Sequence, residues 1–124
     1  MSQTATHING LDDYVNYINN DKRVIIVDFF ASWCGPCKKL SPILDQLSQK
    51  YSKEIAVLKV NADEDSQLPT DQQLVPIFKV SSLPTVFFVK GGQFQQGDDY
   101  RIEGFNLAQL LKCLTVLTGK QINL

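Results

Sequence analysis

Val24-Ile25-Ile26-Val27-Asp28-Phe29-Phe30-Ala31-Ser32-Trp33-Cys34-Gly35-Pro36-Cys37-Lys38-Lys39-Leu40-Ser41-Pro42-Ile43-Leu44-Asp45-Gln46-Leu47 reads as a buried strand that runs straight into an amphipathic helix. From Val24 to Phe30 both faces are apolar apart from Asp28, the pattern of a central strand covered on two sides. Leu40, Ile43, Leu44 and Leu47 then recur at helical spacing. Cys34 and Cys37 fall at the junction. A helix N-terminus carries unpaired N–H groups and a partial positive charge, so a thiolate placed there is stabilised. Cys34, just before the first turn, is expected to be the exposed nucleophile, with Cys37 one step deeper on the same side. Gly35 is read as permitting a tight backbone approach. Pro36 fixes φ in a first turn, where its missing N–H costs nothing. A mixed disulfide formed at Cys34 is then within reach of Cys37, which expels it.

Other uses of a cysteine pair are weaker. A structural disulfide across two residues closes a very short loop and constrains the unfolded chain little. A zinc site usually takes four ligands, and His7 and Cys113 are isolated in the sequence. Thiol–disulfide exchange is the favoured chemistry.

The chain has 124 residues, enough for one domain with a real core, expected over 1–124. A net charge of −1 gives no reason to expect nucleic acid or an anionic membrane as partner. No apolar run is long enough to span a bilayer. The first residues lack a basic start followed by an apolar stretch, so no secretory signal is visible. Three cysteines, one left unpaired, fit a reducing compartment. A cytoplasmic location is expected.

Outward from the junction, residues 3–8 suggest a short strand. Leu11, Tyr14, Val15 and Ile18 share a helical face that begins near Gly10 and ends at Asn19-Asn20-Asp21. The helix after Cys34 should reach about Tyr51, kinked at Pro42. Ile55–Val60 is a second buried strand, which makes the first half β-α-β-α-β. One helix is expected somewhere in 64–75. Thr85–Lys90 is a strand, Gly91-Gly92 a hairpin turn, and Phe94 to Ile102 an antiparallel return interrupted near Gly97-Asp98-Asp99. Leu107, Leu110, Leu111, Leu114 and Leu117 mark a last helix closed by Gly119.

These motifs, in this order, resemble the thioredoxin family over nearly the whole chain. Val27 to Lys38 is similar to its active-site signature, and Pro42 to the proline of its active-site helix. Lys59-Val60-Asn61-Ala62-Asp63 matches its next strand end, and Ser82-Leu83-Pro84-Thr85 its cis-proline loop. Gly91-Gly92 and Gly104 fall at later glycine positions. The resemblance implies an α/β thioredoxin fold, a central mixed β-sheet flanked by helices on both faces.

The resemblance also gives roles to residues that the pattern alone leaves ambiguous. A carboxylate at Asp28 inside an apolar strand needs a role or a partner, and burial raises its pKa. The family reading makes it the base that deprotonates Cys37 through a water. Lys59 matches a lysine that tunes this carboxylate, although on residue type alone it reads as an ordinary exposed lysine. Pro84 matches the cis proline beside the disulfide, which leaves the Leu83 backbone free to pair with an extended substrate segment. Trp33 offers that segment an apolar rim. Gly104 suits either a third backbone contact or a strand-to-helix turn. Cys113 reads as an inert core cysteine, and His7 as a surface or strand-edge residue.

Taken together, the resemblance implies a protein-disulfide reductase of the thioredoxin electron-carrier type. It cycles a Cys34/Cys37 dithiol and disulfide and serves cell redox homeostasis with no bound cofactor and no metal. Its expected partners are disulfide-containing proteins and an NADPH-dependent thioredoxin reductase, with the chain itself a monomer. Two rivals are a thiol oxidant or isomerase, which a redox titration separates, and a binding module whose thiols are dispensable. The chain departs from the family pattern in a longer segment between Asp63 and Pro84 and a longer hairpin arm near Gly97-Asp98-Asp99. Ser82 and Phe30 replace a frequent glycine and a frequent tryptophan. An added loop near Pro84 is expected to bear on the docking surface.

Overall fold

The computed structural model describes residues 5–124. Its centre is β2 (Val24–Phe30), the run quoted above, which pairs in parallel with β3 (Ile55–Asn61) and antiparallel with β4 (Thr85–Lys90). β1 (Ala5–His7) adds in parallel to the outer side of β3. β5 (Gln93–Phe94) and β6 (Ile102–Glu103) both pair antiparallel with β4, at its two ends. The sheet order is therefore β1-β3-β2-β4-β5, with β6 also on β4. The expected mixed sheet is present. The strand expected over 3–8 is realised in 5–7, and positions 3 and 4 lie outside the described residues.

Because β2 and β3 are apolar on both faces, helices cover both. On one face α2 (Gly35–Lys50) and α5 (Leu107–Thr118) bury Leu40, Leu44, Leu47, Leu110, Leu114 and Leu117 against Val24, Ile26, Val57 and Phe88. On the other, α1 (Leu11–Asn20) lays Tyr14, with Leu11 and Ile18, on Ile25, Val27, Leu58 and Phe87. Val15 departs from the expected face and is 41% exposed. Tyr17 packs in its place, because the buried stripe of α1 is turned toward the side of Tyr14 and Tyr17. Gly91 and Gly92, with φ of 60° and 78°, make the two-residue turn into β5. Gly119 closes α5 in the left-handed region at φ 71°. No helix among the described residues is long and apolar enough to cross a membrane.

The single helix expected in 64–75 is replaced by three separate turns: α3 (Ala62–Asp65), a 3-10 turn (Thr70–Gln72) and α4 (Leu74–Ile77). Pro69 cannot donate a helical hydrogen bond, and Asp65 competes for the backbone that a longer helix would use. The buried Asp65 carboxylate accepts the N–H groups of Leu74 at 2.8 Å and Val75 at 3.0 Å. Gln72 accepts the Asp12 N–H at 3.0 Å, so the turn leans on α1.

Candidate active site

α2 starts at Cys34. Its Sγ accepts the N–H of Cys37 at 3.2 Å and so caps the helix, and the two cysteines are joined by a disulfide with Cα atoms 5.3 Å apart. One orphan N–H of the helix terminus is thus aimed at Cys34 sulfur, which is where negative charge would be held in the reduced protein. Cys34 is not the exposed member of the pair, as the sequence suggested: each cysteine is 5% exposed. The reason is local. Cys34 turns its sulfur back onto the helix to meet Cys37, and Ala31, Phe30 and Leu83 pack around the pair. Gly35 also differs from expectation, since a Cβ there would meet no atom within 4 Å. Its lack of a side chain therefore serves no close approach among the described residues.

Beneath Cys37 lies a cavity of about 380 Å³ lined by Asp28, Cys37, Lys59, Ser41, Phe30 and His7, among others. Asp28 comes from the middle of β2 and is 2% exposed. Its Oδ1 is buried and accepts no hydrogen bond among the described residues. Burial pushes its carboxyl up to about 7, and the Lys59 charge on the next strand pulls against that rise. Lys59 pairs with Asp28 in the β2–β3 register. Contrary to its reading as an exposed lysine, it is 7% exposed, because β1 and β2 flank it and its side chain runs under α2. Its Nζ donates to Ser41 Oγ at 2.5 Å and lies 5.5 Å from the centre of the Phe30 ring. Ser41 therefore orients the ammonium beside Asp28. Its signal in the sequence was its place four residues after Cys37, one turn along the same helix face.

Above the disulfide, the Leu83–Pro84 peptide is cis. Thr85 Oγ1 donates to Ser82 O at 2.7 Å, and the Gly104 N–H donates to Pro84 O at 2.8 Å. The loop is therefore tied at both ends. Gly104, at φ 84°, takes one of the two roles the sequence left open, the turn between β6 and α5. The Leu83 amide and carbonyl form no hydrogen bond among the described residues. Trp33 stands at the rim, 68% exposed, and donates from Nε1 to Asp63 Oδ2 at 2.9 Å. A groove of about 230 Å³ is lined by Trp33 and Leu83 together with Val75, Val80 and Ser81. Of the longer segment, 66–73 stays outside this groove, while α4 and the residues after it form its wall.

Sequence reasoning passed over Ser41, Asp63 and the cavity-facing position of His7. The Asp63 signal was its place at the end of the Asn61-Ala62-Asp63 run, where Asn61 caps α3. His7 does sit on the edge strand β1, as expected, but its partner on β3 cannot be read from spacing. Cys113 is buried in the α2–α5 core, its thiol pushed up by burial. Among the described residues no group of three His, Cys, Asp or Glu is placed to hold a metal ion.

The family profile described as Thioredoxin matches residues 5–114. Thioredoxin-2 of Saccharomyces cerevisiae is 31% identical over 110 residues, which are 89% of this chain and 95% of that protein. Thioredoxin-T of Drosophila melanogaster is 42% identical over 72 residues, 58% of this chain; the chain spans only 42% of that protein's length. The crystal structure of mitochondrial thioredoxin 3 from Saccharomyces cerevisiae in its oxidized form superposes with a TM-score of 0.76 at 29% identity, covering 91% of this chain and 95% of that one.

Proposed function

The chain belongs to the thioredoxin family, and from that premise we propose that it reduces protein disulfides by cycling Cys34 and Cys37 between dithiol and disulfide. The observation that carries this reading is the Cys34 sulfur on the Cys37 N–H at the start of α2, with its disulfide partner one turn away. In the reduced state that N–H and the positive helix end hold Cys34 as a thiolate at neutral pH. The thiolate attacks a substrate disulfide and forms a mixed disulfide, and one substrate sulfur departs with the bonding electron pair. Cys37 then loses its proton to Asp28, through a water for which the cavity has ample room. The Cys37 thiolate attacks Cys34 sulfur, the second substrate sulfur leaves, and the disulfide seen in the structure is restored.

A carboxyl near 7 accepts a proton at neutral pH and gives it back, which suits Asp28 to this step. Lys59, held by Ser41, keeps that value from rising further. Trp33, the free backbone of Leu83, Pro84 and Gly104 form the docking edge for an extended substrate segment. Gly35 and Pro36 shape the turn between the sulfurs. The cycle uses the chain's own two sulfurs and calls for no bound cofactor. We assign rereduction to an NADPH-linked thioredoxin reductase, and the work to a monomer in the cytoplasm that carries electrons for cell redox homeostasis.

Reduction of insulin disulfides with NADPH and a thioredoxin reductase tests the reading. Wild type is expected to turn over and Cys34→Ser to be inactive. Cys37→Ser is expected to accumulate mixed disulfides. Turnover that survives Cys34→Ser overturns the assignment.

A further inference from the structure

Lys59 pairs with His7 on one side and with Asp28 on the other, so the three residues stand abreast across β1, β3 and β2. Two strand spacings of about 4.8 Å separate the backbones of His7 and Asp28. Their side chains line the same cavity as Cys37. Resting on the reductase reading above, we propose that His7 is the proton-exchange residue of this cavity: its imidazole takes from Asp28 the proton that left Cys37 and releases it to solvent.

Asp28 is walled in by β3 and β4 and has a buried oxygen with no hydrogen bond among the described residues, so its proton must travel through the cavity. Among the described residues, the charged or titratable groups facing that space are few. β3 supplies Lys59, β2 supplies Asp28, and α2 supplies Cys37 and Lys38. A lysine ammonium donates and cannot accept a proton, and Ser41 already accepts from Lys59. Cys37 is the source of the proton. Among the described residues that leaves His7, whose imidazole has one ring nitrogen to accept a proton and another to donate one. His7 is exposed on the edge strand, so it touches bulk water. Its ring meets the Phe30 ring edge-to-face at 5.8 Å between centres, which keeps it at the cavity mouth. Burial brings Asp28 to about 7, into the range where imidazole groups exchange protons.

The step balances. The Cys37 thiol gives H⁺ to the Asp28 carboxylate, and the Asp28 carboxylic acid passes it through intervening water to His7 before the sulfur attacks, which holds Cys37 as a thiolate. The Cys34–substrate S–S bond then breaks as the Cys37–Cys34 bond forms, and the substrate leaves as a thiolate with the electron pair. The imidazolium gives its proton to solvent, and solvent protonates the substrate thiolate.

The test is stopped-flow reaction of the reduced protein with a chromogenic aryl disulfide. The first thiol released reports attack by Cys34, and the second reports attack by Cys37. His7→Gln is expected to leave the first phase unchanged and to slow the second about three- to tenfold between pH 6 and 7, a modest fraction of a full general-base effect. Added imidazole is expected to restore the second phase. In an Asp28→Asn background the same change should have no effect, since there is no carboxyl to relay from. His7→Lys, which keeps a polar side chain at the edge, should be as slow as His7→Gln. An unchanged second phase overturns the role of His7, as does a slow phase that imidazole cannot rescue or that persists in Asp28→Asn. A wild type with no first phase overturns the reductase reading itself and the relay with it.

Discussion

Replacing Asp28 by Asn should make the oxidised protein more stable, and the gain should depend on pH in a defined direction. In the unfolded chain the carboxyl has the ordinary value of 3.8, and in the folded protein burial raises it to about 7. Between these values the unfolded state has lost the proton and the native state has kept it. Stability therefore falls as pH rises through this window and is level above about pH 7. Each tenfold change in proton affinity is worth about 1.4 kcal/mol, so the whole interval amounts to about 4 kcal/mol. Asp28→Asn removes the titration while keeping the shape. Near pH 4 and below, the variant and wild type should have similar stability. At pH 8 the variant should be more stable by about 4 kcal/mol, which at a urea slope of about 2 kcal/mol per molar separates the midpoints by about 2 M. The assay is equilibrium urea unfolding of both proteins, with the disulfide intact so that Cys34 and Cys37 do not titrate. A gap between the two proteins that stays constant from pH 4 to 8 would refute the buried, unpaired carboxyl as its cause. The same variant should lose rate in the resolving step while gaining stability, because the group whose burial destabilises the fold is the group proposed to take the Cys37 proton.

Arg101 donates to Phe78 O at 2.9 Å and Lys79 O at 2.7 Å and lies 4.9 Å from the centre of the Phe87 ring. Arg101→Ala should cost about 2 kcal/mol and speed amide exchange in 74–80, measured by unfolding and hydrogen exchange. Asp65→Ala strips the acceptor from two N–H groups at the start of α4. It should cost about 2–4 kcal/mol and open 66–73 to limited proteolysis. Trp33→Ala should raise KM for a protein disulfide severalfold while leaving the reaction with a small aryl disulfide nearly unchanged, and Trp33→Phe should fall between, keeping the ring but losing the bond to Asp63.

Patterns local to the chain were legible. The β2–α2 junction, the close of α5 at Gly119, the Gly91-Gly92 turn and the leucine face of α5 all appear where residue spacing put them, because each is decided by neighbours within a turn or two. Three readings failed for a shared reason. Val15, the exposure of Cys34 and the exposure of Lys59 each depend on what another element places over them. The 64–75 segment failed differently: its polar residues and Pro69 allow either a helix or separate turns, and Asp65 decides by bonding to residues nine and ten positions ahead.

Sequence by itself determined the two-thiol chemistry, since a cysteine pair at the mouth of a helix takes its electrostatics from the backbone it begins. Only the tertiary structure decided which groups surround Cys37. Asp28, Lys59 and His7 come from three separate stretches and become neighbours through strand register alone, and Ser41 joins them because α2 crosses that face. The value at which Asp28 titrates arises from the low dielectric of that assembled interior, which no single stretch of the chain contains.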